Sequence, residues 1–95
     1  MNGEKLTLDS IVVTSKSVVY CDLDGEAAML NMEDGVYYGL NEVGATIWNL
    51  IQEPRKVSEV LKNLLEEYEV REDECKDDLM NVLRELLEKG LIEIK

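Results

Sequence analysis

Up to Leu40 the apolar residues of this chain fall in short β-rich runs cut by turn signals; from Asn41 onward they recur at helical spacing. That single change of period constrains the fold more than any other feature, because a strand buries alternate residues and a helix buries every third or fourth. Residues 18–23 are rich in β-branched and aromatic side chains and read as a strand. Asp24-Gly25 is a tight hairpin turn signal, and residues 27–32 follow as the second strand. Glu33-Asp34-Gly35 makes a second turn, with glycine placed for a positive φ. Val36, Tyr37, Tyr38, Gly39 and Leu40 then form the third strand. Strands joined by turns this short must pair as an antiparallel meander.

Asn41 is placed to cap a helix over 42–51, with Val43, Ile47, Leu50 and Ile51 on one face and Pro54 beyond its end. Ser58 is the expected cap of a second helix reaching Tyr68, striped by Val60, Leu61, Leu64 and Leu65. A third helix is expected over 73–89 and stopped by Gly90, with Asp and Glu at its start and Lys89 at its end as the helix dipole favours. Residues 11–13 and 91–94 suit short flanking strands, and 1–10 reads as a polar, partly ordered lead-in. Strands followed by helices give an α+β fold: a three-stranded antiparallel sheet, then three helices, as one domain over 1–95. Trp48 and Leu83 are expected to be structural, Trp48 at the sheet–helix junction and Leu83 at the centre of the third helix.

Charge narrows the function classes. A net charge of −11 opposes binding to nucleic acid or to an anionic membrane surface and is compatible with a basic or neutral peptide partner. There is no histidine, and Cys21 and Cys75 are isolated in sequence, so a zinc site of the usual ligands is not expected. The commonest general base is thereby missing, no serine sits in a nucleophile elbow, and no glycine-rich phosphate loop occurs. No enzyme, no metal and no cofactor are expected. The start of the chain lacks the apolar stretch of a signal peptide and no run approaches a membrane span, so a cytoplasmic setting with free thiols is expected. Cys75 lies near a helix start, which lowers a thiol pKa, but among acidic neighbours, which raise it; a small apolar wall residue is the better reading.

The strand from Val36 to Leu40 leaves two readings open. Either its residues are simply split between core and surface, or it is a sheet edge whose unpaired backbone accepts an extended peptide.

The run from Met29 to Trp48, with its aliphatic strand, its turn, Tyr37-Tyr38, Leu40-Asn41, Gly44 two residues after Glu42, and a helix carrying Trp48, resembles the PqqD-like family of precursor-peptide recognition elements. Residues 57–68 resemble the family's middle helix, and 83–92 its closing Leu-x-x-Leu-x-x-x-Gly-Leu-Ile, so the likeness spans about 10–94. Glu53-Pro54 and Cys75 make it most similar to the stand-alone leader-binding proteins of lasso-peptide pathways. The resemblance implies a winged helix-turn-helix-like fold and a leader peptide laid as an added strand along the third strand, against the third helix. It further implies a separate leader peptidase and a cyclase as partners. Members that serve radical-SAM enzymes, as in pyrroloquinoline quinone synthesis, share the fold.

On the third helix, Cys75, Asp78, Leu79 and Val82 form one edge of the apolar stripe, and Met80 and Leu87 the other. The first edge is taken to face the peptide. Pockets between strand and helix would then accept an aromatic or proline side chain. A winged-helix DNA-binding regulator is the remaining alternative, opposed by the acidic residues of the third helix.

Overall fold

The computed structural model describes residues 5–23 and 26–95, with side chains described outside 22–27. The elements run β1 (Ile11–Thr14), β2 (Val18–Leu23), β3 (Glu26–Asn31), β4 (Tyr37–Leu40), α1 (Glu42–Leu50), β5 (Arg55–Lys56), α2 (Val57–Glu67), α3 (Glu72–Glu88) and β6 (Ile92–Ile94). The fold is α+β, with the meander β2-β3-β4 and three helices in the expected order. The Asp24-Gly25 turn lies outside the described residues. Gly35 has φ +73°, the left-handed conformation its turn needs.

A second three-stranded sheet, in the order β5-β1-β6, lies beside the meander. β1 and β6 were legible as apolar runs; two-residue β5 was not, being too short to carry any alternation. β1 is tied on all sides. The Thr14 N–H donates to the Ile51 carbonyl at 3.0 Å, and the Ser15 N–H to that of Leu91 at 2.9 Å.

One expected helix cap changes. Ser58 does not cap α2, which begins one residue earlier at Val57 without a side-chain cap. The first helical N–H groups instead find main-chain acceptors: Val57 donates to the Ser10 carbonyl at 2.9 Å and Ser58 to that of Leu8 at 3.0 Å. The lead-in is therefore structural from Leu6, which is buried, and Leu8 packs on the core. Asn41 does cap α1, its side-chain oxygen accepting from the Gly44 N–H at 2.9 Å. Gly90, at φ +73°, ends α3 and lets the Leu91 N–H reach back to the Leu86 carbonyl at 2.9 Å.

The core is built from Met29 of β3, Ile47 and Trp48 of α1, Val60 and Leu64 of α2, and Leu79, Leu83 and Leu86 of α3, all fully buried. Trp48 covers the sheet–helix junction as expected, stacked on Tyr20 of β2 with ring centroids 6.1 Å apart. Gly44 allows α1 to lie close on the end of β4: a Cβ there would meet the Leu40 Cβ at 2.9 Å. No described helix is long and apolar enough to cross a membrane.

Candidate functional site

β4 is an edge strand, paired on one side with β3 and on the other with no described strand. Its register is Ala27↔Leu40, Ala28↔Gly39, Met29↔Tyr38 and Leu30↔Tyr37. The same pairing continues into the turn, where the Asn31 N–H donates to the Val36 carbonyl at 2.9 Å. In an antiparallel ladder hydrogen-bonded pairs alternate with non-bonded ones. Val36, Tyr38 and Leu40 therefore aim their main-chain groups at β3, and Tyr37 and Gly39 aim theirs at the open edge.

This refines the strand expected over 36–40. Val36 lies outside β4, in the turn. Its N–H donates to Asp34 Oδ1 at 2.9 Å and its carbonyl accepts from the Asn31 N–H, so its main-chain groups are already paired, while its side chain is exposed. Leu40 turns its side chain into the core, while Tyr37 is two-thirds exposed.

The expected stripe of α3 holds together in space. Cys75, Asp78, Leu79 and Val82 all line one pocket of about 130 Å³. Its other walls are Val43 and Ile47 of α1, Leu64 and Tyr68 at the end of α2, and Val70 and Glu74. The volume is close to the ~150 Å³ of an apolar cavity that accepts a benzene ring. Tyr68 is held in place by a 2.9 Å hydrogen bond between its hydroxyl and that of Thr46. The lining is apolar except for Glu74 and Asp78, both exposed.

The pocket is not lined by β4, contrary to the expected pocket between strand and helix. It lies among the three helices, past the Leu40 end of the strand, where Val43 brings α1 to it. Met80 and Leu87, on the other edge of α3, do not line it. The contributions from α1 and α2 carried no separate signal, because their lining residues have the same spacing as core residues.

Tyr38 bridges strand and helix. Its hydroxyl donates to Glu85 Oε1, and Lys89 Nζ stands 5.4 Å from the centre of its ring. Asp78, Val82, Glu85 and Lys89 follow one another at helical spacing, so one stripe of α3 runs from the pocket along β4. Burial, then the hydrogen bond to Glu85 and its charge, push the Tyr38 hydroxyl up to about 12. The Cys75 thiol is likewise raised, first by burial and then by the charge of Asp78. A thiol so held is neutral at pH 7 and serves as an apolar wall.

Asn31 was not singled out in the sequence, although an asparagine in an aliphatic strand is unusual. Glu85 carried no signal that separates it from the other surface acids. Among the described residues no three His, Cys, Asp or Glu side chains converge as metal ligands.

Comparison with known proteins adds to this geometry. The family model described as coenzyme PQQ synthesis protein D (PqqD) matches residues 26–92. The solved structure "TbiB1 in Complex with the TbiA(beta) Leader Peptide" is similar at TM-score 0.80 and 34% identity, over 85% of this chain and 94% of that one. "Lasso peptide synthetase B1 complexed with the leader peptide" shares the fold at TM-score 0.76 and 22% identity, over 86% of this chain and 96% of that one. No curated protein matches the chain.

Proposed function

The chain belongs to the PqqD family, and on that premise we propose that it is a non-catalytic adaptor for the leader of a ribosomally made precursor peptide. The observation that carries this reading is the open edge of β4, with the main-chain groups of Tyr37 and Gly39 facing outward beside an apolar pocket. A leader strand hydrogen-bonds to that edge, which sets register whatever its side chains are. One apolar or aromatic leader side chain fills the pocket walled by Cys75, Leu79 and Val82, and this gives specificity. Asp78 and Glu74 at the rim favour a basic neighbour in the leader.

The two solved structures hold leader peptides, and this chain covers nearly all of each, which supports the same role here. In this reading the whole chain is one recognition domain, acts in the cytoplasm beside the ribosomal product, and presents the leader to a leader peptidase and a cyclase of lasso-peptide type. The description of the matched family model supports a second reading, a peptide chaperone for a radical-SAM enzyme. DNA binding is opposed by the exposed acids of α3, among them Glu72, Asp73, Asp77 and Glu85, which repel phosphate.

The test is calorimetric titration of the intact protein with the cognate leader. Saturable binding at one leader per chain is expected. Absence of binding to leaders of both pathway types would overturn the adaptor reading.

A further inference from the structure

The meander carries two apolar rows on its outward face as well as on its inward one. Val19, Leu30 and Tyr37 stand directly opposite one another across the three strands, through the pairs Val19↔Leu30 and Leu30↔Tyr37. Side chains at paired positions share a face. Cys21, Ala28 and Gly39 form the next row on that face. The core face carries Tyr20, Met29 and Tyr38 instead. Val19 is 52% exposed and Tyr37 66%, and Met32, at 61%, extends the apolar surface at the hairpin end. None of these residues is charged, in a chain where 33% are. An antiparallel sheet with one face in the core ordinarily alternates to polar residues on the other. Two adjoining uncharged rows on the outer face of so acidic a protein mark a surface that something covers.

A second copy fits poorly. Face-to-face packing would bring two bodies of −11 charge together, within a Debye length of about 8 Å at physiological salt. A patch three strands wide, at about 4.8 Å per strand, is also well short of the ~800 Å² per partner of a stable interface. These limits describe the apolar centre of a transient contact. The exposed acids Glu33 and Asp34 at its hairpin end require a basic rim on the partner. Tyr37 belongs both to this face, through its side chain, and to the open edge, through its main chain. Whatever covers the face is thereby held beside the bound leader.

We propose that the outer face of β2, β3 and β4, centred on Val19, Leu30 and Tyr37, is the docking surface for the peptidase that cuts the leader from the bound precursor. That enzyme meets it with an apolar patch rimmed by Lys and Arg. The identity of the occupant rests on the adaptor reading; the surface does not.

The test uses intact protein, the labelled cognate leader, and the purified peptidase that cuts that leader. Val19→Lys and Met32→Ser both lie away from the β4 edge and the pocket. Each is expected to hold leader affinity within about twofold and to weaken peptidase binding by about tenfold or more, a loss of one factor of ten in affinity. Met32→Ser, at an exposed turn position, keeps the test open should Val19→Lys fold poorly. Unchanged peptidase affinity in every folded variant would overturn the proposal. So would wild-type protein that binds leader but no peptidase, or a wild-type dimer in sedimentation that Val19→Lys dissolves. Wild-type protein that binds peptidase but no leader would keep the docking face and sink the adaptor reading instead.

Discussion

The side-chain amide of Asn31 donates to the main-chain carbonyl of Lys89 across 3.1 Å, and so fastens the β3–β4 hairpin to the end of α3. The same side chain accepts from the Glu33 N–H at 2.9 Å, and its main chain binds Val36 and Gly35. One nearly buried residue thus sets both the shape of the turn and the distance from strand to helix. Asn31→Ala removes both side-chain bonds and strands the Lys89 carbonyl, at a cost of about 1–3 kcal/mol. Urea unfolding should show the lower midpoint. Leader affinity should fall in the folded fraction, because the cleft loses its fixed width. An unchanged midpoint would mean that water replaces the amide without loss.

Gly44→Ala tests the approach of α1 to β4. The added methyl would meet the Leu40 Cβ at 2.9 Å, and that atom is bonded directly to Cα, so no side-chain rotation moves it aside. Alanine ordinarily stabilises a helix interior by about 0.5–1 kcal/mol over glycine. Here the clash should reverse the sign, and thermal unfolding should come at a lower temperature than in the parent. A higher melting temperature would show that helix and strand separate freely. Leu83→Ala, at a fully buried position, should cost about 2–5 kcal/mol by the same measurement.

Much of this arrangement was legible before the structure. The two periods, the glycines at turn and helix end, and the Asn41 cap are local signals, and they placed the meander and helices to within a residue or two. The pocket was half legible. Cys75, Asp78, Leu79 and Val82 were recognisable as one edge of a helix, but their partners Val43, Ile47 and Leu64 look like any core residues in sequence. The capping of α2 by Ser10 and Leu8 was not legible, because main-chain acceptors leave no mark on side-chain identity. Tyr38–Glu85 and Asn31–Lys89 are contacts between distant segments, which no local pattern encodes.

Alkaline pH should destabilise the protein through two groups. Tyr38 holds its proton up to about 12 when folded, against about 10 for a free tyrosine, so the folded state binds more protons than the unfolded one over that span. Its contribution is complete below about pH 10 and is lost as pH rises toward 12. The raised thiol of Cys75 acts in the same sense, beginning as pH passes the ordinary thiol value. Chemical denaturation between about pH 8 and pH 12 should therefore show a shallower decline for Tyr38→Phe than for the parent, with Cys75→Ala removing the earlier part. Parallel declines in all three proteins would refute the assignment.

Val82→Glu places a carboxylate in the wall of the helical pocket, beside Asp78 and Glu74. Val82 is partly exposed, so the fold should survive, as circular dichroism would report. Leader affinity should drop by about tenfold or more, the equivalent of roughly 1.4 kcal/mol. Asp78→Lys should weaken a leader that carries a basic residue beside its pocket-filling side chain, and leave a neutral one nearly unaffected. Equal effects on both leaders would remove Asp78 from the recognition of charge.

The two tyrosines of β4 make opposite predictions for proline. The Tyr37 N–H points to the open edge, so Tyr37→Pro removes a donor that the fold does not use, and proline is tolerated on edge strands in that orientation. The Tyr38 N–H points to β3, and its side chain anchors Glu85, so Tyr38→Pro breaks a ladder bond and the strut together. Tyr37→Pro should thus retain most of the parent stability while losing leader binding. Tyr38→Pro should lose both. Tyr37→Phe keeps the donor and should bind as the parent does, which separates the main-chain role from any role of the hydroxyl. Titration of each folded variant with the cognate leader reads the result. If Tyr37→Pro bound the leader with parental affinity, strand addition at β4 would be abandoned, and the helical pocket would be left as the sole anchor.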